Sequence, residues 1–432
     1  MTSDTRARRG VILATVVLII LLLLAACSGN TAPYNINIPA TPASNTNQES
    51  NTASTLHNET IPSKQLEQDL HQSPLEQPIE PSTLTLAAVG DIMMHSPQFP
   101  AYYNTQTGLY DFTSYFKSVK PYLEEVDLAW ANLETPLLGG EKIYTGYPMF
   151  NAPAELADAL QWTGFDIVTT ANNHALDRRA KGVTRTLQVL KERGLVSRGT
   201  YESKWSASQT TLVEKNGIKL GILAYTYGTN GIPLPKDQPY MVDLIQEEKI
   251  LEDIKRTRKA GADAIVIALH FGNEYEHIPN QEQQRLARSL AAGGADLILG
   301  SHPHVLQPYE RIRIIQPDGS EREAVIMYSL GNFISNQRGE QKDVGCIFQV
   351  TFQKDQHGHT EIIDTLLIPT WVDRSGKSGA HTYEIIPIAA ELMKQDTARW
   401  STAQFKQMKI MLNTAEQLLY SMSDIPVIQA KP

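Results

Sequence analysis

From Thr83 onward the chain alternates short apolar runs with amphipathic stretches, and that alternation leaves few folds open to it. "TLTLAAVG", "VDLAWANLE", "FDIVTTANN", "ADAIVIALHFG" and "ADLILGSH" read as strands, being short, apolar and closed by Gly, Asn or His. Between them "TSYFKSVKPYLEE", "APAELADALQWTG", "RAKGVTRTLQVLKERG", "LIQEEKILEDIKRTRKAG" and "NQEQQRLARSLAAGG" carry apolar residues at helical spacing, the third stopped by Gly194. Asn216-Gly217 marks a hairpin. After His304 the pattern changes to hairpins, with turns at Pro317-Asp318-Gly319 and near His357-Gly358, and the tail from about Glu384 reads as helical and mostly polar. This order predicts an α/β domain over 83–375, its sheet covered by helices and completed by antiparallel strands, followed by a helical segment over 376–432.

The start of the chain is different. Arg6, Arg8 and Arg9 precede an unbroken apolar run from Val11 to Ala26, rather short for a membrane span and suited to a secretory signal. The run closes in "LAAC", Leu24 to Cys27, which resembles the lipobox of bacterial lipoproteins. That resemblance implies removal of 1–26 and lipidation of Cys27; the alternative is an uncleaved signal anchor. Either way the domain is expected on the extracytoplasmic face of the membrane. Residues 27–82 are rich in Asn, Thr, Ser, Gln and Pro without apolar period, which predicts a disordered tether. The only other cysteine, Cys346, sits in "DVGCIFQV", a buried strand position, so no intramolecular disulfide is expected. A formal charge of −9, with no basic stripe, argues against a nucleic-acid partner.

In open α/β sheets ligands collect beyond the carboxyl ends of the strands, and polar residues gather at those ends here. The first strand delivers Asp91 and then His95. The second ends in Asn132 and Glu134, and the third in Asn172, Asn173, His174 and Asp177. A later strand ends in His270, Asn273 and Glu274, and the last in "GSHPH", with His302 and His304. Singly, each has an ordinary reading as a turn, a cap or a core histidine. Together they place carboxylates, amides and imidazoles along one edge, where divalent cations would satisfy all of them. The mixed His, carboxylate and amide set suits Mn, Fe or Zn, and the absence of thiolate argues against a closed structural zinc site.

The blocks "AAVGDIMMH", "ANLETPL", "TTANNHALD", "YTYGTNG", "HFGNEY", "LILGSHPHVLQP" and "SLGNFIS" resemble the CapA family of capsule (poly-γ-glutamate) synthesis proteins, within the calcineurin-like metallophosphatases. The resemblance covers roughly Leu84 to Ser335. It implies a four-layer α/β/β/α sandwich with mixed sheets and a site holding two divalent metal ions. Asp91 and His304 match ligands of the first metal, Glu134 the bridging carboxylate, and Asn173, His270 and His302 ligands of the second. His174 matches the outer histidine that contacts the leaving group. Asn132 and Asn172 are expected to orient the ligands, and Asn273 and Glu274 to line the site near His270. Two positions depart from the phosphatase pattern. The first block is Asp-x3-His instead of Asp-x-His, which leaves His95 open as a ligand, and the bridge is Glu134 instead of Asp.

The implied chemistry is in-line hydrolysis of a phosphoester by water acidified between two ions, with His174 serving the leaving oxygen. The family implies service to a membrane-bound polymer synthase. Its partners would be anionic poly-γ-glutamate, gripped through the metals, or a phosphorylated envelope intermediate. Two alternatives stay open: a stand-alone envelope metallophosphoesterase, and a non-catalytic tethered module that binds polymer.

Overall fold

The computed structural model describes residues 81–139, 144–422 and 425–431. The expected signal sequence over 1–26, Cys27 and nearly all of the tether over 27–82 lie outside the described residues. No described helix is long and apolar enough to cross a membrane.

The first sheet is built on β1 (Ser82–Ile92), β2 (Leu128–Leu133), β3 (Ile167–Thr169) and β4 (Val196–Arg198), parallel in that order. The helices α1 (Glu155–Thr163) and α2 (Arg179–Glu192) make the crossovers that parallel strands require. Gly164, at φ 102°, ends α1 as a left-handed cap. The second sheet begins with β5 (Thr211–Lys215) and β6 (Ile218–Thr226), joined at Asn216-Gly217, where both residues have positive φ as a tight hairpin turn needs. It continues through α3 (Glu247–Lys259), β7 (Ala264–His270), α4 (Gln281–Ala292) and β8 (Leu297–Ser301), with β6, β7 and β8 parallel. Asn280 caps α4 by accepting from the Gln283 N–H at 2.9 Å.

The hairpin strands then divide between the two sheets. β9 (Tyr309–Ile315) and β10 (Glu321–Met327) extend the second, with β10 beside β8. β11 (Asn332–Ile334) pairs in parallel with the end of β1, and β12 (Val344–Lys354) lies antiparallel along its length. β13 (Thr360–Lys377) and β14 (Ala380–Pro387) complete that edge.

Burial alternates along the strands as the pleat demands. On β1, Leu84, Leu86 and Ala88 share a core with Leu220 and Ile222 of β6, Val266 of β7 and Leu297 and Leu299 of β8, so the two sheets face each other. Ala87 and Val89 point the other way, toward Leu156 and Leu160 of α1. On the far side Ile265 and Ile267 of β7 meet Ile250 and Ile254 of α3 and Leu286 and Leu290 of α4. The order of layers is helices, sheet, sheet, helices.

The C-terminal part differs from the expectation. The boundary placed at 375/376 falls inside β13, and Glu384 to Pro387 are strand because Tyr383, Ile385 and Ile386 are buried. Beyond them come α5 (Ile388–Lys394), α6 (Thr402–Leu419) and a last strand β15 (Val427–Gln429), which joins β9. The polar look of α6 hides a stripe of Met408, Met411, Ala415 and Leu419, at helical spacing, that enters the core between the sheets together with Trp400.

Candidate metal centre at the strand ends

Register brings the site residues together. Asp91 on β1 lies opposite Asn132 on β2 and Asn332 on β11. His270, the last residue of β7, lies opposite Ser301 on β8. Cross-strand neighbours therefore become hydrogen-bond partners: Asn132 Nδ2 donates to Asp91 Oδ1 at 2.8 Å, and Ser301 Oγ is 2.9 Å from His270 Nδ1. Two glycines allow the strand ends to approach this closely. A Cβ on Gly90 would lie 1.9 Å from the Gly331 carbonyl oxygen, and one on Gly300 would lie 1.9 Å from that of Tyr328.

His302 and His304 close the cage from the loop after β8. Both have positive φ, 97° and 58°, a region that side chains other than glycine rarely adopt. The twist sends both rings inward. His304 Nδ1 is 3.0 Å from Asp91 Oδ2, and the His302 backbone N–H donates to the same oxygen at 3.3 Å. Glu134, just past β2, lies between the sheets with Oε1 at 3.5 Å from His270 Nε2 and 3.7 Å from His304 Nε2. His270 Nε2 is 2.9 Å from Asn173 Oδ1.

Asp91, Glu134, His270, His302, His304 and Asn173 are all buried. Neither Glu134 oxygen has a hydrogen-bond partner, and His302 Nδ1 is also buried and unpartnered. A fully buried carboxylate without partners is costly, and a divalent cation is what such a donor set fits. Ligand atoms of Asp91, Glu134 and His270 lie within 4.8 Å of one another, as do those of Glu134, His302 and His304. Glu134 belongs to both groups, the place the resemblance gave it. The groups divide the histidines differently, however: His270 falls with Asp91, and His302 with His304.

Electrostatics follow from this burial. Burial raises the Glu134 pKa well above its ordinary value, and the charge of Asp91 adds to the effect. Burial also works against a charge on Asp91, but hydrogen bonding and attraction to His304 outweigh it and hold that carboxyl below its ordinary range. The partner ring shows the converse. Burial opposes its charge, yet Glu134 and Asp91 lift His304 to about 9. Burial pushes His270 down to about 3 and His302 to about 2.

His174 stands at the edge of this cluster. Its Nδ1 is 2.8 Å from Asp177 Oδ2, and Asp177 is itself fixed by accepting the Phe150 N–H at 2.7 Å. Asn172 ties the loop down, donating to the Leu133 carbonyl at 2.8 Å and accepting the His174 N–H at 3.1 Å. Asp177 has the task of holding His174, and its spacing in "HALD" offered the signal. Asn230 was missed: its side-chain oxygen accepts from Asn173 Nδ2 at 3.1 Å, and its amide nitrogen lies 3.4 Å from His174 Nδ1. It reaches the site because "YTYGTNG" folds back there, and the same loop sets the Tyr227 ring 4.6 Å from that of His302. Asn332 reaches the His304 carbonyl at 3.2 Å.

Asn273 departs from the expectation. It is exposed and donates to Glu276 Oε2 at 3.0 Å, because the turn after β7 carries it outward. Glu274 is exposed at the rim, where its charge acts on His270, His302 and His304. His95 belongs to neither ligand group. Burial pushes its pKa down to about 4.

A family model described as bacterial capsule synthesis protein PGA_cap matches residues 85–337. The chain is 32% identical over 267 residues to the capsule biosynthesis protein CapA of Bacillus anthracis, a match covering 60% of this chain and 61% of that protein, less than two thirds of its length. It is 29% identical over 283 residues to the PGA biosynthesis protein CapA of Bacillus subtilis, covering 65% and 70%. Among solved structures, the NAD nucleotidase NadN of Haemophilus influenzae is similar at a TM-score of 0.43 and 12% identity, over 80% of this chain and 57% of that one. The calcineurin-like phosphoesterase YfkN of Bacillus subtilis is similar at 0.39 and 14%, over 67% and 90%.

Proposed function

The chain belongs to the bacterial capsule synthesis protein PGA_cap family, and on that premise we propose that it serves capsule polymer synthesis through a metal-dependent, phosphatase-like hydrolytic centre at the strand ends. In this reading Cys27 carries the lipid anchor, the domain faces away from the cytoplasm, and its partner is a membrane-bound polymer synthase. Poly-γ-glutamate has no phosphoester, so the substrate is a phosphorylated envelope intermediate of that synthesis.

The observation that carries the reading is Glu134: fully buried, unpartnered at both oxygens, and common to two groups of possible ligands. Asp91, His270, His302 and His304, with Asn173, complete the set that would hold two divalent ions. Such ions supply Lewis-acid polarisation of a phosphoryl oxygen and acidify water for in-line attack. The chain's own residues do the rest. Asn132 and the His302 backbone N–H orient the Asp91 carboxylate. Asp177 fixes the ring of His174 so that Nε2 can carry a proton to the leaving oxygen as its bond to phosphorus breaks. That histidine–aspartate pair favours hydrolysis over passive binding of polymer, which would need no proton donor.

The test is elemental analysis of the purified full-length chain together with hydrolysis of a small phosphodiester panel in added Mn. His302→Ala should lower the rate by more than about a hundredfold. Equal residual rates in wild type and variant would end the catalytic reading. Polymer binding lost on chelation, without hydrolysis, would favour the tethered binding module.

A further inference from the structure

The histidines of the site can be sorted by what each Nδ1 faces. A histidine that ligates a metal through Nε2 carries its proton on Nδ1 and needs an acceptor there. His304 Nδ1 faces the Asp91 carboxylate at 3.0 Å, and His270 Nδ1 faces the Ser301 hydroxyl at 2.9 Å, whereas His302 Nδ1 is buried without a partner and is itself open to an ion. His174 Nδ1 likewise faces the Asp177 carboxylate at 2.8 Å.

His95 is reversed. Its Nδ1 accepts the backbone N–H of Asn336 at 3.3 Å, which favours the neutral tautomer with the proton on Nε2. Ligation through Nε2 would move the proton to Nδ1 and set it against the Asn336 N–H, two donors face to face. Asn336 is not free to turn away. Its side-chain oxygen accepts from the Tyr383 hydroxyl at 2.7 Å and from Arg374 Nη1 at 3.1 Å. The His95 backbone is pinned as well, its N–H donating to the buried Gln98 Oε1 at 2.8 Å, while a Cβ on Gly146 would lie 2.9 Å from His95 Cα. The ring stands edge-on to Phe150 at 5.2 Å, and Phe150 stands edge-on to His174 at 4.6 Å. Both imidazoles that stand outside the ligand groups thus flank one phenyl ring beside the ligand cage.

We propose that His95 is not a metal ligand but a fixed hydrogen-bond donor, through Nε2–H, to an oxygen of a tetrahedral oxyanion held beside the ions; this rests on the metal-dependent reading above. The Asp-x3-His spacing is then a change of task. Two residues beyond the phosphatase ligand position, the imidazole packs on the same phenyl ring, Phe150, as the proton carrier His174.

The test uses the full-length chain reconstituted with Mn, with inorganic phosphate as probe. His95→Asn keeps an acceptor for the Asn336 N–H and removes the distal donor, whereas His95→Gln places an N–H close to the Nε2 position. Both variants should hold as much Mn as wild type by elemental analysis. Phosphate binding, measured by calorimetry, should weaken about ten- to a hundredfold in His95→Asn and return to within a few-fold of wild type in His95→Gln. Loss of Mn from His95→Asn would make His95 a ligand and overturn the assignment. So would unchanged phosphate affinity with Mn retained. A wild-type chain that takes up no Mn would instead overturn the metal-dependent reading itself.

Discussion

Burial that suits Glu134 to a cation makes it a liability without one, and the liability can be measured. Its folded pKa is raised well above 4.5. A group raised in this way costs the fold nothing below its unfolded value and progressively more as the pH climbs through that value toward the folded one. The loss is about 1.36 kcal/mol per pH unit over that interval, so between 4.5 and pH 7 it cannot exceed about 3.4 kcal/mol. Glu134→Gln removes the ionisation and keeps the shape. In chelator the variant should unfold at nearly the wild-type temperature at about pH 4.5. At about pH 7 it should unfold up to about 7 °C higher, taking about 2 °C per kcal/mol. Mn should reverse the order. An ion at about a hundred times its dissociation constant stabilises the wild type by about 2.7 kcal/mol, and the variant should gain far less. Thermal unfolding with and without Mn at the two pH values reads all four states. Equal temperatures in chelator at both pH values would show that Glu134 is paired or solvated, and an equal gain from Mn would remove it from the ligand set.

Three further outcomes follow from the same structure. With Glu134 and Asp91 lifting His304 to about 9, the stability its charge gives the metal-free fold is fully present below pH 6.5 and is lost as the pH rises through about 9. Mn must displace that proton, so affinity should climb between pH 7 and about 9, and calorimetry in buffers of different ionisation enthalpy should find about one proton released; none released would take His304 out of the site. The Cys346 thiol, fully buried and pushed up to about 12 by that burial, should resist iodoacetamide in native protein and react on unfolding; peptide mapping that finds native labelling would contradict its place in the core. Deleting 388–432 removes Trp400, Met408, Met411 and Leu419 from the core between the sheets, each contributing about 1.5–3 kcal/mol, and should abolish soluble, protease-resistant protein. A stable truncated domain would restore the C-terminal segment as a separate appendage.

The fold was legible where periodicity was strong. Each run such as "ADAIVIALHFG" or "NQEQQRLARSLAAGG" became the strand or helix its pattern required, because burial on one face fixes both register and phase. The end of the chain was not legible. Its strand Ala380–Pro387 mixes His381, Thr382 and Glu384 with its apolar residues, and it lies at the sheet edge beside β13. The apolar stripe of α6 is diluted by Lys and Gln on the outer faces. The candidate site was legible in its residue types, since Asp91, Glu134, His270, His302 and His304 each sit at a strand end and meet in space. Which of them share an ion depends on ring positions that only the packing of two sheets decides. Asn230 was hidden for a related reason: its loop belongs to a strand that supplies no ligand, and it reaches His174 only across the gap between sheets.

Conformational cost bears on whether the centre is a relic. His302 and His304 are both held in the left-handed region, at about 1–3 kcal/mol each. Glu134 adds a buried carboxyl without a hydrogen bond, and His302 a buried ring nitrogen without one. Each would be relieved by an ordinary substitution: glycine at either histidine, leucine at Glu134. Strain of this kind persists where the surrounding structure over-determines it, and it clusters at active sites and ligand clamps. Here four unfavourable features coincide within one cage, and one agent offsets all of them by binding the native state alone. An ion accepted by Glu134 and His302, and by the ring that Asp91 holds in place, turns the cost of building the cage into affinity. The strain is therefore an argument for occupancy, independent of which reaction the ions serve.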